Sequence, residues 1–138
     1  MKQKILVIDD DPINNMLCTY IIKKTVNNVE INCFELPLEG LEHVITQYNG
    51  PHIPPPTILF LDINMPTMDG WGFLTEFAEN FQEFHSKVSI VILSSSVNPA
   101  DIEKANKHPL VIGFMPKPIG DLELDELKKH PALSIFIS

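Results

Sequence analysis

Ile58-Leu59-Phe60-Leu61-Asp62-Ile63-Asn64-Met65-Pro66 is the stretch on which the fold turns. Four apolar residues rich in β-formers run straight into one aspartate, and Pro66, Asp69 and Gly70 then force the chain to turn. This reads as a buried strand with a carboxylate at its carboxyl end. In open α/β sheets that edge binds ligands, because the strands end there in loops and the connecting helices leave a crevice. Asp62 is therefore a candidate active group. Ile5-Leu6-Val7-Ile8 likewise runs into Asp9-Asp10-Asp11, so two strands deliver carboxylates toward one edge.

Outward from that stretch, strand and helix patterns alternate. Lys4 to Asp9 reads as a fully buried strand, a continuous apolar run of the kind parallel sheets need. From Pro12 the spacing turns helical, with Ile13, Met16, Leu17, Tyr20 and Ile21 as the expected buried stripe, Asp11 as N-cap and Pro12 at the first position. Asn27-Asn28 closes that helix. Val29 to Glu35 alternates Val29, Ile31 and Cys33 against Glu30, Asn32 and Phe34, the mark of a more exposed strand. Pro37 opens a second helix with Leu38, Leu41, Val44, Ile45 and Tyr48 as its stripe. The proline-rich run from Asn49 to Pro56 reads as a stiff connector. After the central strand come a helix over Trp71 to Phe84 burying Leu74, Phe77 and Phe81, a strand over Val88 to Leu93 ending in Ser94-Ser95-Ser96, and a weak helix over Pro99 to Lys107. A strand over Leu110 to Met115, ending at Pro116-Lys117-Pro118, and a short helix over Asp121 to Lys129 complete the series. Strand followed by helix, again and again, predicts a parallel sheet covered on both faces and joined by right-handed crossovers.

Composition narrows the function. At 138 residues the chain makes one domain with a single core. Hydrophobic residues at 44% and charged residues at 20% describe a globular chain rather than a disordered one. A net charge of -8 repels phosphate backbones, and no cluster of Lys or Arg offsets it, so direct nucleic-acid binding is not expected. No apolar run is long enough for a signal peptide or a membrane span, which points to the cytoplasm and against membrane insertion. Cys18 and Cys33 lack metal or redox spacing and read as two buried reduced thiols. The five histidines are scattered, and none is expected to be catalytic.

Collecting the strand ends brings Asp9, Asp10, Asp62, Ser94 and Lys117 to one edge. Carboxylates crowded in this way repel one another, so positive charge must be present. Hard oxygen ligands suit Mg2+ with several waters retained, and Lys117 supplies a second, fixed charge. A metal, a lysine and a hydroxyl around one carboxylate stabilise charge on a transferred phosphoryl group, with Asp62 as the nucleophile that forms an aspartyl phosphate.

The run from Ile5 to Pro12, the run from Leu61 to Gly70, the serine after the fourth strand and Lys117-Pro118 after the fifth resemble the receiver domain of two-component response regulators. The resemblance covers essentially the whole chain. One such motif is weak; four in order at four strand ends are specific. The resemblance implies a doubly wound, flavodoxin-like α/β sheet of five parallel strands in the order 2-1-3-4-5. Residues 1–130 would be the receiver domain and 131–138 a C-terminal tail, with no output domain. It further implies phosphorelay signalling by a stand-alone regulator similar to the chemotaxis type. A sensor histidine kinase or phosphotransfer protein would phosphorylate Asp62 and so switch contacts with a downstream protein target. Such a protein is not an enzyme beyond its own phosphorylation and dephosphorylation. By position, Asp9, Asp10, Asp62 and the backbone carbonyl of Asn64 would hold Mg2+, Ser94 and Lys117 would bind the phosphoryl group, and Phe114 would be the aromatic switch. A cis peptide bond at Lys117-Pro118 is implied as well.

Two positions depart from the family's pattern. Ser94 stands where Thr is common and lacks the methyl that restricts its rotamer. Phe114 stands where Tyr is frequent, so it offers no phenolic hydroxyl and switching would rest on packing alone. The alternative is an Mg2+-dependent phosphohydrolase of the haloacid dehalogenase type, which also uses a strand-end aspartate and a lysine. Its second aspartate would fall at Asn64, which cannot protonate a leaving group. A receiver fold used only for docking is a third reading, opposed by the intact acids, Ser94 and Lys117. Asp69-Gly70 reads as turn chemistry and Met65 and Met68 as loop packing, while the apolar tail, with Leu133, Ile135 and Phe136, is expected to pack back on the domain.

Overall fold

The computed structural model describes residues 3–26, 28–50, 56–65, 68–80, 87–95 and 98–129. Its strands are β1 (Gln3–Ile8), β2 (Val29–Phe34), β3 (Thr57–Asp62), β4 (Val88–Ser94) and β5 (Val111–Pro116). The helices are α1 (Pro12–Thr25), α2 (Pro37–Tyr48), α3 (Gly70–Asn80), α4 (Pro99–Lys107) and α5 (Asp121–Lys128). Every strand pairing is parallel and the order is β2-β1-β3-β4-β5, the doubly wound sheet that the alternation predicts.

Side chains alternate across the sheet and divide the core into two layers. Leu6, Ile8, Leu59, Leu61, Ile90 and Ile92 meet α2 through Leu41 and Val44 and α3 through Phe73, Leu74 and Phe77. On the other face, Ile5, Val7, Ile58, Phe60, Val91 and Leu93 meet α1 through Cys18 and Ile22 and α5 through Leu124 and Leu127. All six residues of β3 are buried, as its unbroken apolar run requires. Each large side chain buried in this way contributes about 1.5–3 kcal/mol, so these layers, rather than the connectors, hold the sheet together. Continuing the same alternation past β1 places Asp9 on the α1 side, where Asp62 also falls.

α4 has Ala105 as its buried residue. Polar contacts tether it to α3: the Trp71 indole N–H donates to Asp101 at 3.3 Å, and the Lys104 ammonium lies 4.6 Å from the Trp71 ring centroid.

Three expectations are corrected. The stripe Ile13, Met16, Leu17 and Tyr20 faces solvent, with Ile13 62% and Tyr20 65% exposed, while Asn14, Asn15, Cys18 and Ile22 face the sheet. The inner positions of the first turn are taken by amides that bond Asp9, and this rotates the apolar residues outward. Leu38, expected on the buried stripe of α2, is exposed, whereas Leu41, Val44 and Tyr48 are buried. The inward places of the first turn of α2 go instead to Pro37 and to Gly40, which lies against Ile8 of β1. Cys33 is exposed on edge strand β2, so Cys18 alone is a buried thiol, raised to about 11 by burial and by the Asp9 charge.

Asp11 caps α1 by accepting from the Ile13 N–H at 2.9 Å. Asp69 does more than turn the chain, because it accepts from the Gly72 N–H at 2.8 Å in the first turn of α3. Met65 is buried, and Met68 packs on the core. Asn27, residues 51–55 of the connector, Pro66, the stretch from Phe81 to Phe84, Ser96 and the tail from Pro131 lie outside the described residues.

Candidate functional site

Asp9 follows β1 and Asp62 ends β3, and neighbouring strands bring both carboxylates to the carboxyl edge of the sheet, fully buried. Asp10 stands beside them, exposed. The three offer carboxylate oxygens within 4.8 Å of one another. One ammonium group answers two of them: Lys117 Nζ lies 3.0 Å from Asp9 Oδ2 and 3.3 Å from Asp62 Oδ2. Lys117 follows β5, where its backbone N–H donates to the Ser94 carbonyl at 2.9 Å and its bond to Pro118 is cis.

The remaining oxygens are also held. Asp62 Oδ1 accepts the Asn64 N–H at 3.0 Å, and Asp9 Oδ1 accepts the Asp11 N–H at 2.9 Å. Burial pushes the Asp62 carboxyl up from 3.8 to about 6; the Asp9 charge adds to this, while the Asn64 N–H and Lys117 oppose it. Burial works against the Lys117 ammonium, yet Asp9 and Asp62 outweigh it and hold its pKa above the ordinary value. Formally, three carboxylates face one ammonium. A hard divalent cation fits that donor set and charge, and exposed Asp10 leaves a side open for retained water.

Ser94 is buried at the end of β4, and its hydroxyl oxygen lies 3.4 Å from the Asn64 side-chain amide. Phe114, on β5 beside Ile92, is half-buried against the α2–α4 layer. It also lines a groove of about 220 Å³ with Leu122, Glu123 and Glu126 of α5. A separate groove of about 270 Å³ runs from Ile13 and Leu17 of α1 to Lys117 and Pro118.

Sequence reasoning missed two residues here. Asn14 donates its side-chain amide to Asp9 Oδ2 at 2.7 Å, and Asn15 donates to the Asp9 carbonyl at 3.0 Å. Both are buried. The available signal was a pair of poor helix formers in the first turn directly after an acid-bearing strand end. Gly70 also had a role beyond turning: a Cβ there would lie 2.7 Å from Ile63 Cα and 2.9 Å from the Asp62 carbonyl oxygen.

The chain is similar to several known proteins. It aligns with a two-component response regulator from Cytophaga hutchinsonii at 32% identity and a TM-score of 0.85, covering 97% of this chain and 99% of that one. A response regulator receiver protein from Dyadobacter fermentans DSM 18053 shares the fold, with a TM-score of 0.79 at 23% identity over 99% of each chain. The protein-glutamate methylesterase/protein-glutamine glutaminase 2 of Vibrio vulnificus (strain YJ016) is 28% identical over 117 residues. That match takes in 85% of this chain but only 31% of the methylesterase. None of this supports a haloacid dehalogenase-type phosphohydrolase, and Asn64 stands where such an enzyme needs its acid. The family model of the response regulator receiver domain matches residues 5–129, and the chain belongs to that family, whose place is in phosphorelay signalling.

Proposed function

We propose that Asp62 is the phosphoacceptor of this receiver and that its donor is a phosphohistidine on a sensor kinase or phosphotransfer protein. The observation that carries this is the single Lys117 ammonium shared between two buried carboxylates from β1 and β3. A carboxylate oxygen of Asp62 forms a P–O bond as the P–N bond of the phosphohistidine breaks, and the electron pair leaves on the imidazole nitrogen. Lys117 then has a phosphoryl oxygen to pair with, and the Ser94 hydroxyl turns from Asn64 to donate to another. Asp9, Asp10, Asp62 and the Asn64 carbonyl would hold Mg2+, which offsets charge on the phosphoryl oxygens when bound. Beyond its own phosphorylation and dephosphorylation the chain catalyses nothing on this reading.

The donor's approach is suggested by the outward apolar residues of α1. Ile13 and Leu17 line the groove that ends at Lys117, so a helix presenting its phosphohistidine there would bury apolar surface while aiming the phosphorus at the site. Phosphorylation adds up to two negative charges beside Ser94. Inward motion of Ser94 would free space along β4 for Phe114, changing the face formed by α4, β5 and α5, which a downstream protein reads. Among the described residues no helix is long and apolar enough to cross a membrane, and a cytoplasmic partner suits this role.

Acetyl phosphate with Mg2+ tests the reading by intact mass. The chain should gain one phosphate and Asp62→Asn none. Failure of the unmodified chain to gain phosphate, or equal gain by Asp62→Asn, would refute it.

A further inference from the structure

We propose that Asn14 is a positioning residue for phosphoryl transfer: by holding Asp9, it sets how much of the Lys117 ammonium is left to Asp62. The proposal rests on Asp62 being the phosphoacceptor.

Asp9 is fully buried and meets three donors. Oδ2 accepts Asn14 Nδ2 at 2.7 Å and Lys117 Nζ at 3.0 Å, while Oδ1 accepts the Asp11 N–H at 2.9 Å. An ionised carboxylate oxygen has two lone-pair sites, so Oδ2 is filled and Oδ1 keeps one side open. With donors on both oxygens, the group cannot turn about its Cβ–Cγ bond without breaking a hydrogen bond. Asn14 is locked in its turn. It is 5% exposed in the first turn of α1, whose start is fixed by the Asp11 cap and by Asn15 on the Asp9 carbonyl.

A buried side-chain amide is costly unless its hydrogen bonds are made. Here the bond is made to the same oxygen that competes with Asp62 for Lys117. The ammonium lies 3.0 Å from Asp9 and 3.3 Å from Asp62, close to an even division. Removing the amide returns a lone pair to Asp9 Oδ2. The carboxylate then binds Lys117 more strongly, held by two donors in place of three. The ammonium withdraws from Asp62 and from the oxygens of an incoming phosphoryl group.

Two variants separate positioning from mere support of the fold. Asn14→Leu fills the space without a donor, and Asn14→Ser keeps a hydroxyl donor but leaves a cavity. Three quantities are read on the intact chain: the rate of phosphate gain from acetyl phosphate across Mg2+ concentrations, Mg2+ binding by calorimetry without donor, and the urea unfolding midpoint. Asn14→Leu should lose about tenfold in rate, the scale of one hydrogen bond to a charged group, and the loss should persist at saturating Mg2+. Asn14→Ser should recover part of the rate despite the lower unfolding midpoint of the two. Rates that follow the midpoints, a rate for Asn14→Leu equal to that of the unmodified chain, or a loss that saturating Mg2+ abolishes would each overturn the proposal. An unmodified chain that takes no phosphate would instead overturn the assignment of Asp62.

Discussion

Asp62→Asn should stabilise the ion-free protein at neutral pH, because the native site holds that carboxylate against an opposing electrostatic balance. Its carboxyl is raised from 3.8 to about 6 by burial first and by Asp9 next, and the Asn64 N–H and Lys117 only partly offset this. Between those two values the folded chain keeps a proton that the unfolded chain has released. Stability contributed by this group therefore falls as pH rises through that window, and above it the whole difference opposes folding. At about 1.4 kcal/mol per pH unit the difference amounts to about 3 kcal/mol, an upper figure because Asn is an imperfect copy of a protonated Asp. Urea unfolding followed by the fluorescence of Trp71, with a chelator present, reads it. Asp62→Asn should gain most at pH 8 and little at pH 4. Added Mg2+ should narrow the gap by stabilising the unmodified chain more, since a ligand that binds only the folded state adds to its stability. A gain independent of pH, or a loss at pH 8, would refute the account of what burial does at this site.

Asp10→Asn should weaken Mg2+ binding and slow phosphorylation by acetyl phosphate together; unchanged affinity in calorimetry removes Asp10 from the ligand set. Ser94→Ala should still accept phosphate, but amide exchange over residues 99–116 should respond less than in the unmodified chain; an equal response would break the proposed route from Asp62 to α4. Gly70→Ala should cost about 1–3 kcal/mol in urea unfolding, because its Cβ must displace the backbone of Ile63 and Asp62. A neutral result would show that the loop between β3 and α3 yields more easily than this packing allows.

Much of the fold was legible because its signals are repetitive and unopposed. β3 has no competing pattern, and β1, β4 and α4 appear at the expected places because an apolar run or a cap-and-proline start has one reading. The strand-end chemistry was legible for a related reason: parallel pairing sends every carboxyl end to one edge, so Asp9, Asp62, Ser94 and Lys117 needed no side-chain detail to be brought together. Cys33 and Leu38 were misread because alternation and helical spacing name a face but not whether anything covers it. β2 is an edge strand, and in the first turn of α2 the covered places belong to Pro37 and Gly40 rather than Leu38.

α1 failed for a more instructive reason. Its apolar spacing is real, but helical periodicity assumes that the apolar face turns inward, and that assumption gives way when a neighbouring charge needs partners. Buried Asp9 takes donors from this helix at two atoms, Asn14 on its carboxylate and Asn15 on its backbone carbonyl. A hydrogen bond to a buried charge contributes about 1.5–3 kcal/mol, comparable to burying one large apolar side chain, and leaving that charge short of donors costs more. The Asn14 bond to that carboxylate, the Asn15 bond and the burial of Cys18 and Ile22 accompany the exposure of Ile13, Met16, Leu17 and Tyr20. The same rotation puts Ile13 and Leu17 along the groove that leads to Lys117. One geometric choice thus orders Asp9 and, on the proposed function, turns an apolar helix face toward the phosphodonor, which is why local periodicity was least informative beside the site.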